Sequence, residues 1–152
     1  MSLNRIFGYQ LVQAGIVTGA NFIREVGKPY KLRPVEFTIL QLIFESPHIS
    51  PTVLAKTLAI TTPSMTAWLD KLSKRKLLIR EKSIKDGRGQ KLALTPSGNA
   101  LVEKGLAILL ESEAALLAHL SLGEREMLLE ILQKITAEKS KPATPHSPLH
   151  AA

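Results

Sequence analysis

The sequence predicts a mainly α-helical chain with one small β-hairpin. Apolar residues recur at helical spacing over most of the 152 residues, and several of these runs start at a proline that follows a polar or basic residue. Only one region offers two short strand candidates around a glycine-rich turn. The chain is long enough to bury a core of its own. It has no cysteine, which excludes disulfides, thiolate metal sites and thiol redox switches.

The first predicted helix covers residues 3–27 and has apolar residues over a broad face. Gly8, Gly15 and Gly19 fall on one side of it, although each interior glycine costs about 1 kcal/mol relative to alanine. Close approach of another helix would explain them, and a frayed or kinked helix would explain them equally well. The segment Lys28-Pro29-Tyr30 is predicted to break this helix.

Three further helices are predicted to begin at Pro34, Pro51 and Pro63, each after a residue that can precede a helix. For the third, Thr62 is the expected N-cap. The last two helices, joined by a turn at residues 59–61, form a predicted helix–turn–helix. One face of the third helix is apolar, and the opposite face carries small, cationic and acidic residues: Thr66, Ala67, Asp70, Lys71 and Lys74.

A hairpin follows, with strands predicted at residues 77–84 and 90–94 and a turn at residues 85–89. Thr95-Pro96 is predicted to cap a helix that runs from Ser97 to about Leu120. Residues 121–124 have the spacing of a capping box, and a last amphipathic helix comes after them. The tail at residues 139–152 holds three prolines without periodicity, and we expect it to be disordered.

Charge is concentrated on the third helix and the hairpin. Residues 61–98 carry nine Lys or Arg against three Asp or Glu, a net charge of +6, whereas the whole chain carries +7. A basic patch confined to a helix and a hairpin tip is typical of proteins that bind duplex nucleic acid. The alternative is a solvated helix end whose cations suit the helix dipole, but the hairpin continues the patch.

Three segments resemble a known family: LSKRKLLIR at residues 72–80, DGR at 86–88 and LALTPSG at 92–98. They are similar to the winged helix–turn–helix of the MarR family of bacterial transcriptional regulators, and the order of elements matches over roughly residues 3–138. The resemblance implies a single domain at residues 1–138. Residues 32–95 would form its winged DNA-binding lobe, and residues 3–30 and 96–138 its dimerisation helices.

The function implied is a homodimeric, ligand-responsive repressor that binds double-stranded DNA at a pseudo-palindromic operator. Lysine and arginine at the helix edge would neutralise phosphates, and short side chains at the helix start would reach base edges. In the resembling family an Asp-x-Arg pair sits at the wing tip. Here Arg88 would enter a minor groove, oriented by Asp86, although this aspartate also suits a simple turn cap. The predicted DNA-binding residues are Thr61, Thr62, Pro63, Ser64, Thr66, Ala67, Lys71, Lys74, Arg75, Asp86, Arg88 and Lys91.

Two residues depart from the family pattern. Lys76 stands where a glycine usually ends the recognition helix, so a left-handed cap there would be mildly strained. Ala67 stands where a polar or basic residue is frequent and offers only a methyl contact. The terminal helices carry more apolar surface than one subunit buries, which favours a homodimer.

The other function class considered is a winged helix that docks a protein and never touches DNA. No catalytic constellation or phosphate loop is visible, so we expect neither an enzyme nor a cofactor. The four histidines are not paired at helical spacing, which disfavours a metal site. Without a signal peptide or transmembrane segment, a cytoplasmic location is expected. The resemblance implies a small aromatic or amphipathic acid as effector, near Arg24, Lys28 and Arg33.

Overall fold

The computed structural model describes residues 2–82 and 89–137, and there it confirms a mainly α-helical fold with one antiparallel hairpin. The predictions for Asp86, Arg88 and the tail lie outside the described residues. The described chain divides into two compact units between Glu113 and Ala114. The elements are α1 (Phe7–Phe22), α2 (Lys28–Tyr30), α3 (Pro34–Glu45), α4 (Pro51–Leu58), α5 (Thr62–Lys74), β1 (Leu78–Lys82), β2 (Gln90–Leu94), α6 (Pro96–Leu116) and α7 (Leu122–Ala137).

The first helical segment is longer and less regular than predicted. A 3-10 turn, Leu3–Arg5, precedes α1, and a π-helical turn, Ile23–Gly27, joins α1 to α2. The prediction that Lys28-Pro29-Tyr30 breaks the helix is wrong. The π turn shifts the register just before Pro29, so the ring avoids the usual clash with the carbonyl four residues earlier. Residues 7–30, called the first helix below, end only at Lys31, which is left-handed with a φ of 52°.

The glycines of α1 have no close neighbour in this chain. A Cβ placed at Gly8, Gly15 or Gly19 meets no heavy atom within 4 Å. Helical structure continues through all three, and the irregular turn lies beyond them at Ile23–Gly27. Neither a break in the helix at the glycines nor a helix packed on them is therefore found within the described part of the single chain.

The helix–turn–helix forms as predicted, with its second helix starting one residue earlier. Ser50 caps α4 by accepting a hydrogen bond from the Val53 backbone N–H. The N-cap of α5 is Thr61, which accepts from Ser64, so the assignment of Thr62 was wrong. Proline is tolerated anywhere in the first turn because those N–H groups have no helical partner, and Pro63 occupies the second position.

The core lies between the helix–turn–helix, α3 and the hairpin. From α5 it receives Met65, Leu69 and Leu72, the predicted apolar stripe. The rings of Phe22 and Phe37 pack 5.7 Å apart, which places the end of α1 on α3. The other buried hydrophobic residues are Val26, Leu32, Ile39, Leu40, Ile43, Leu54, Ala55, Leu77, Leu78, Leu92 and Val102.

The hairpin is shorter than predicted at its first strand. β1 begins at Leu78 because Leu77 still closes the end of α5, its N–H donating to the Leu72 carbonyl. In the antiparallel register Leu78 faces Leu94. The backbone at residues 48–49 also pairs with Leu92, which anchors the root of the hairpin to the segment before α4.

Helix α6 is docked on the turn between α5 and β1. Thr95 caps it by accepting from the Gly98 N–H at 3.0 Å, while its hydroxyl donates to the Lys76 carbonyl at 2.7 Å. A Cβ built on Gly98 would lie 2.0 Å from the Leu77 carbonyl oxygen, so only glycine fits this approach. The helix ends at Leu116 and not near Leu120, since two i→i+3 turns at residues 115–120 replace the helical hydrogen bonds.

Helix α7 carries the predicted capping box. The Ser121 N–H donates to Glu124 Oε2 at 2.7 Å, and the Glu124 N–H donates back to Ser121 Oγ at 3.3 Å. None of its described residues is buried. Its exposed large apolar side chains are Leu122, Met127, Leu128, Leu129, Ile131 and Ile135.

The strain predicted at Lys76 is confirmed, since this residue is left-handed with a φ of 57°. We expect Lys76→Gly to raise the free energy of unfolding by about 0.5–1 kcal/mol, because glycine adopts this conformation without a Cβ clash. Lys76→Ala removes the same charge but keeps the Cβ. If urea denaturation shows the same change for both variants, the effect belongs to charge and the strain argument is wrong.

Candidate nucleic-acid interface

The exposed start of helix α5 holds half of the predicted DNA-binding residues. These are Thr61, Thr62, Pro63, Ser64, Thr66 and Ala67, and all six are exposed. They are exposed because Met65 and Leu69 occupy the buried face at this end of the helix. The structure therefore brings the short polar side chains together as predicted and leaves them free to meet a ligand.

Two of the four hydroxyl protons at this end, those of Thr61 and Thr66, are already engaged. Thr61 Oγ1 donates to Ser64 Oγ at 2.9 Å, and Thr66 Oγ1 donates to the Thr62 carbonyl at 3.0 Å. A hydroxyl that donates within the helix still has lone pairs to accept. In this arrangement Thr66 suits an amino group on a base edge better than a phosphate oxygen, which needs a donor.

The three cations at the other end of α5 differ in their surroundings. Lys74 is exposed and makes no ion pair with the described residues. Lys71 Nζ instead lies 2.8 Å from Glu36 Oε1 on α3. The Arg75 guanidinium donates to the Lys31 carbonyl at 2.8 Å and to the Tyr30 carbonyl at 2.9 Å. The sequence predicts the same role for all three because their charge is the same. The structure distinguishes them because Lys71 and Arg75 have partners on distant segments of the chain.

Glu36 is a fully buried carboxylate that the sequence analysis did not single out. Burial raises the pKa of this group, but the Lys71 ammonium and the Arg33 backbone N–H outweigh that effect and hold the pKa below its ordinary value. The Arg33 N–H donates to Oε2 at 2.7 Å, whereas Oε1 accepts no well-aligned hydrogen bond from the described residues and has the Lys71 ammonium 2.8 Å away as its ion-pair partner. Glutamate three residues after an N-cap is a recognisable capping signal, but its pairing with Lys71 has no local signature.

Trp68 lies between two cations beside the core. Arg33 and Lys71 are each centred 5.6 Å from its ring, within cation–π range. Trp68 itself is partly buried and packs against the core. It also adds a second tie between the start of α3 and the side of α5.

A further ion pair joins α5 to the hairpin. Arg80 Nη2 on β1 lies 2.5 Å from Asp70 Oδ1, and the Nε atom of the same guanidinium is buried without a partner among the described residues. The pair neutralises the one acidic residue on the described exposed face of α5. Since Asp70 and Arg80 are ten residues apart in different elements, their pairing follows from the fold and not from the local sequence.

The hairpin carries the remaining predicted contacts. Lys91 lies on β2, half-buried and directly opposite Glu81 on β1. His48, whose backbone pairs with Leu92 on β2, places Nδ1 3.2 Å from Glu81 Oε2. In the described part of the chain, no three acidic or histidine side chains gather as a metal site requires. No helix described there is long and apolar enough to cross a membrane.

A helix–turn–helix with an exposed second helix and a hairpin directly after it defines the class of winged-helix DNA-binding proteins. A family model described as the MarR family matches residues 32–89. The solved structure of the transcriptional repressor CouR, bound to a 23-mer DNA duplex, is 31% identical with a TM-score of 0.81 and aligns over 88% of this chain and 94% of CouR. This chain belongs to the MarR family.

Two other relatives are also transcriptional regulators or repressors. The HTH-type transcriptional repressor Rv2887 of Mycobacterium tuberculosis is 28% identical over 86% of this chain and 94% of its own length. Its structure in complex with salicylic acid has a TM-score of 0.68 and aligns over 85% of this chain and 95% of that one. A probable transcriptional regulator from Pseudomonas aeruginosa is 30% identical, with a TM-score of 0.77 and coverage of 88% and 99%. The chain is a DNA-binding transcriptional regulator, and the protein-docking alternative is not supported.

Proposed function

We propose that this regulator is a homodimeric repressor whose two α5 helices bind successive major grooves of a pseudo-palindromic operator. The observation that carries this proposal is the exposed start of α5, where six small or polar residues stand clear of the fold. Lys74, exposed at the other end of the same helix, is placed for a phosphate oxygen. The relatives named as repressors support the direction of regulation.

The operator is found by selecting genomic fragments with the purified protein and then measuring affinity by fluorescence anisotropy at several salt concentrations. Specific binding is expected to exceed non-specific binding by at least about a thousandfold, as is usual for operators. Equal affinity for selected and random duplexes would contradict sequence-specific regulation.

The homodimer rests on apolar surface that the single chain leaves open. On α1, Phe7, Val12 and Ile16 are more than half exposed. On α7, every described residue is at least partly exposed, including Leu122 and Met127. Helix faces that expose several large apolar side chains are rare on monomers and are normally covered by a second copy.

Sedimentation at low micromolar concentration is expected to give about 33 kDa, twice the 16.7 kDa of one chain. A charge placed in the open face of α1, Ile16→Asp, should shift the protein toward monomer because burying an unpaired carboxylate is costly. Lys56→Asp on α4, also exposed, is the control. A folded wild-type monomer at this concentration would contradict both the proposed dimer and the proposed binding to a pseudo-palindromic operator.

We also propose that a small aromatic acid releases the operator. The salicylic acid complex of Rv2887, a relative over most of the chain, supports this chemistry. Lys28 near the end of the first helix and Arg33 just before α3 provide exposed cations for a carboxylate, whereas Arg24 is already paired with Glu25 at 2.6 Å. The effector acts only if it binds the DNA-incompetent form more tightly, so it must weaken operator binding when titrated into the preformed complex.

Arg88, which lies outside the described residues, is proposed from the sequence to enter the minor groove. Arg88→Ala is expected to weaken operator binding by about 1–3 kcal/mol and to reduce the slope of log affinity against log salt by about one. The loss should be greater for narrow A·T-rich flanks than for G·C-rich flanks. Lys74→Ala is the matched control, with a similar slope change and no dependence on the flanks. Equal losses on both flanks for Arg88→Ala would reduce this arginine to an ordinary phosphate contact.

A further inference from the structure

We propose that Lys71 and Arg75 act as positioning residues that fix the orientation of α5, and that they do not contact DNA. These two side chains and their partners form the α5 clamp: Lys71 is ion-paired with the Glu36 carboxylate, and Arg75 donates to the carbonyls of Tyr30 and Lys31. The proposal rests on the proposed function of α5 as the DNA-reading helix. It reassigns two residues that the sequence predicts to be phosphate contacts.

The Arg75 side of the clamp caps the first helix. At the end of that helix, the Leu32 N–H returns to the Gly27 carbonyl and the Lys31 N–H to the Lys28 carbonyl. The carbonyls of Tyr30 and Lys31 lie beyond these bonds, in the group of acceptors that a helix leaves without helical partners. One guanidinium serves both, at 2.9 and 2.8 Å, and its charge suits the negative end of the helix.

The Lys71 side of the clamp holds α3. Residues four apart share a helix face, so Lys71 and Arg75 point in the same direction from α5. Glu36 has no exposed surface, and its only described cationic partner within ion-pair distance is Lys71. A buried carboxylate fixes its partner firmly, because separating the pair leaves a charge without compensation.

The two sides together connect α5 to separate elements. Lys71 connects it to α3, and Arg75 connects it to the end of the first helix. The α1 part of the first helix carries the exposed apolar face proposed for the dimer. A subunit or ligand that displaces the first helix therefore pulls on the C-terminal end of α5 through Arg75. Lys74, between the two clamp residues, has no such attachment among the described residues and is left for phosphate.

The clamp is tested with Arg75→Lys and Arg75→Gln, using Lys74→Gln as the matched control. Lysine keeps the charge but does not reproduce the two fixed donors of the guanidinium. For Arg75→Lys, affinity for the selected operator should fall about tenfold, while affinity for random duplex and the salt slope stay at wild-type values. Lys74→Gln should instead lower both affinities and reduce the slope by about one.

Other results would overturn the proposal. If Arg75 contacts phosphate, Arg75→Lys binds like the wild type and Arg75→Gln behaves like Lys74→Gln. If Arg75 only stabilises the fold, both variants melt at lower temperature but keep the wild-type ratio of operator to random affinity in the folded protein.

Hydrogen exchange provides a measurement that needs no DNA. Arg75 joins the end of the first helix, where the Leu32 amide lies, to the end of α5, where the Leu77 amide lies. In Arg75→Lys both amides should exchange faster than in the wild type, while the exchange rates of α7 amides stay unchanged. Wild-type protein that binds no duplex would defeat the proposed function, and the clamp is then judged by exchange alone. Unchanged protection at either end contradicts the clamp.

Discussion

Gly98→Ala is expected to destabilise the protein by about 3–5 kcal/mol, although the same change inside most helices is favourable by about 1 kcal/mol. The new Cβ would lie 2.0 Å from the Leu77 carbonyl oxygen and 3.0 Å from its carbon. These are backbone atoms of the turn that closes α5, so no side chain can rotate away. Relief requires α6 to move off the turn, which breaks the Thr95 hydrogen bonds to both neighbours.

Urea denaturation of Gly98→Ala and Gly123→Ala gives the direct comparison. A Cβ at Gly123, in the first turn of α7, meets no atom within 4 Å, so this control should be neutral or slightly stabilising. A loss below about 1 kcal/mol for Gly98→Ala would mean that the start of α6 adjusts easily. In that case the close approach would not explain why this sequence has glycine at residue 98.

Lys71→Met is expected to cost about 3 kcal/mol of unfolding free energy, because Glu36 is left as a buried carboxylate without its cation. The Lys71 side chain is 48% exposed, which lets water reach the pair and keeps the loss near the lower end of the usual range. Lys74→Met removes an exposed cation from the same helix and should change stability by less than about 0.5 kcal/mol. Similar losses for the two variants would contradict the buried pair.

Two further measurements isolate the pair. Adding Glu36→Gln to Lys71→Met should recover much of the stability, because the buried charge is then absent while the amide oxygen still accepts from the Arg33 N–H. The second measurement is pH. Because the pKa of Glu36 is held below its ordinary value of 4.5, the pair stabilises the protein fully above that pH and loses its contribution as the pH falls. The difference in the free energy of unfolding between the wild type and Lys71→Met should therefore become smaller at acidic pH.

Local sequence signals predicted the helix order and the hairpin well. Proline junctions, apolar spacing and the capping box at residues 121–124 depend on residues a few positions apart, and their outcomes were confirmed within one or a few residues. The first helix was misjudged because the effect of Pro29 depends on the π turn before it. Such a turn has no clear sequence signature.

The candidate site was predictable only in part. Exposure at the start of α5 follows from its apolar periodicity, so Thr62 and Ser64 stand where expected. The roles of Lys71 and Arg75 depend on residues 35 and 44 positions away that the fold brings alongside, and charge alone does not reveal them. A run of basic residues therefore indicates a surface that meets nucleic acid without distinguishing the cations that touch it.

Helix α5 is attached by polar contacts mainly along its C-terminal half, and this makes it a lever. Its 13 residues span about 20 Å at 1.5 Å per residue. A tilt of about 5° at the end held by Arg75 would displace the Thr62 end by about 1.7 Å, whereas a good hydrogen bond tolerates only a few tenths of an ångström. A tilt that barely moves Leu72, close to the held end, is thus magnified at the Thr62 end, where we propose the base contacts. We therefore expect a small tilt of α5, with local repacking around Met65 and without a large rearrangement, to distinguish binding from release.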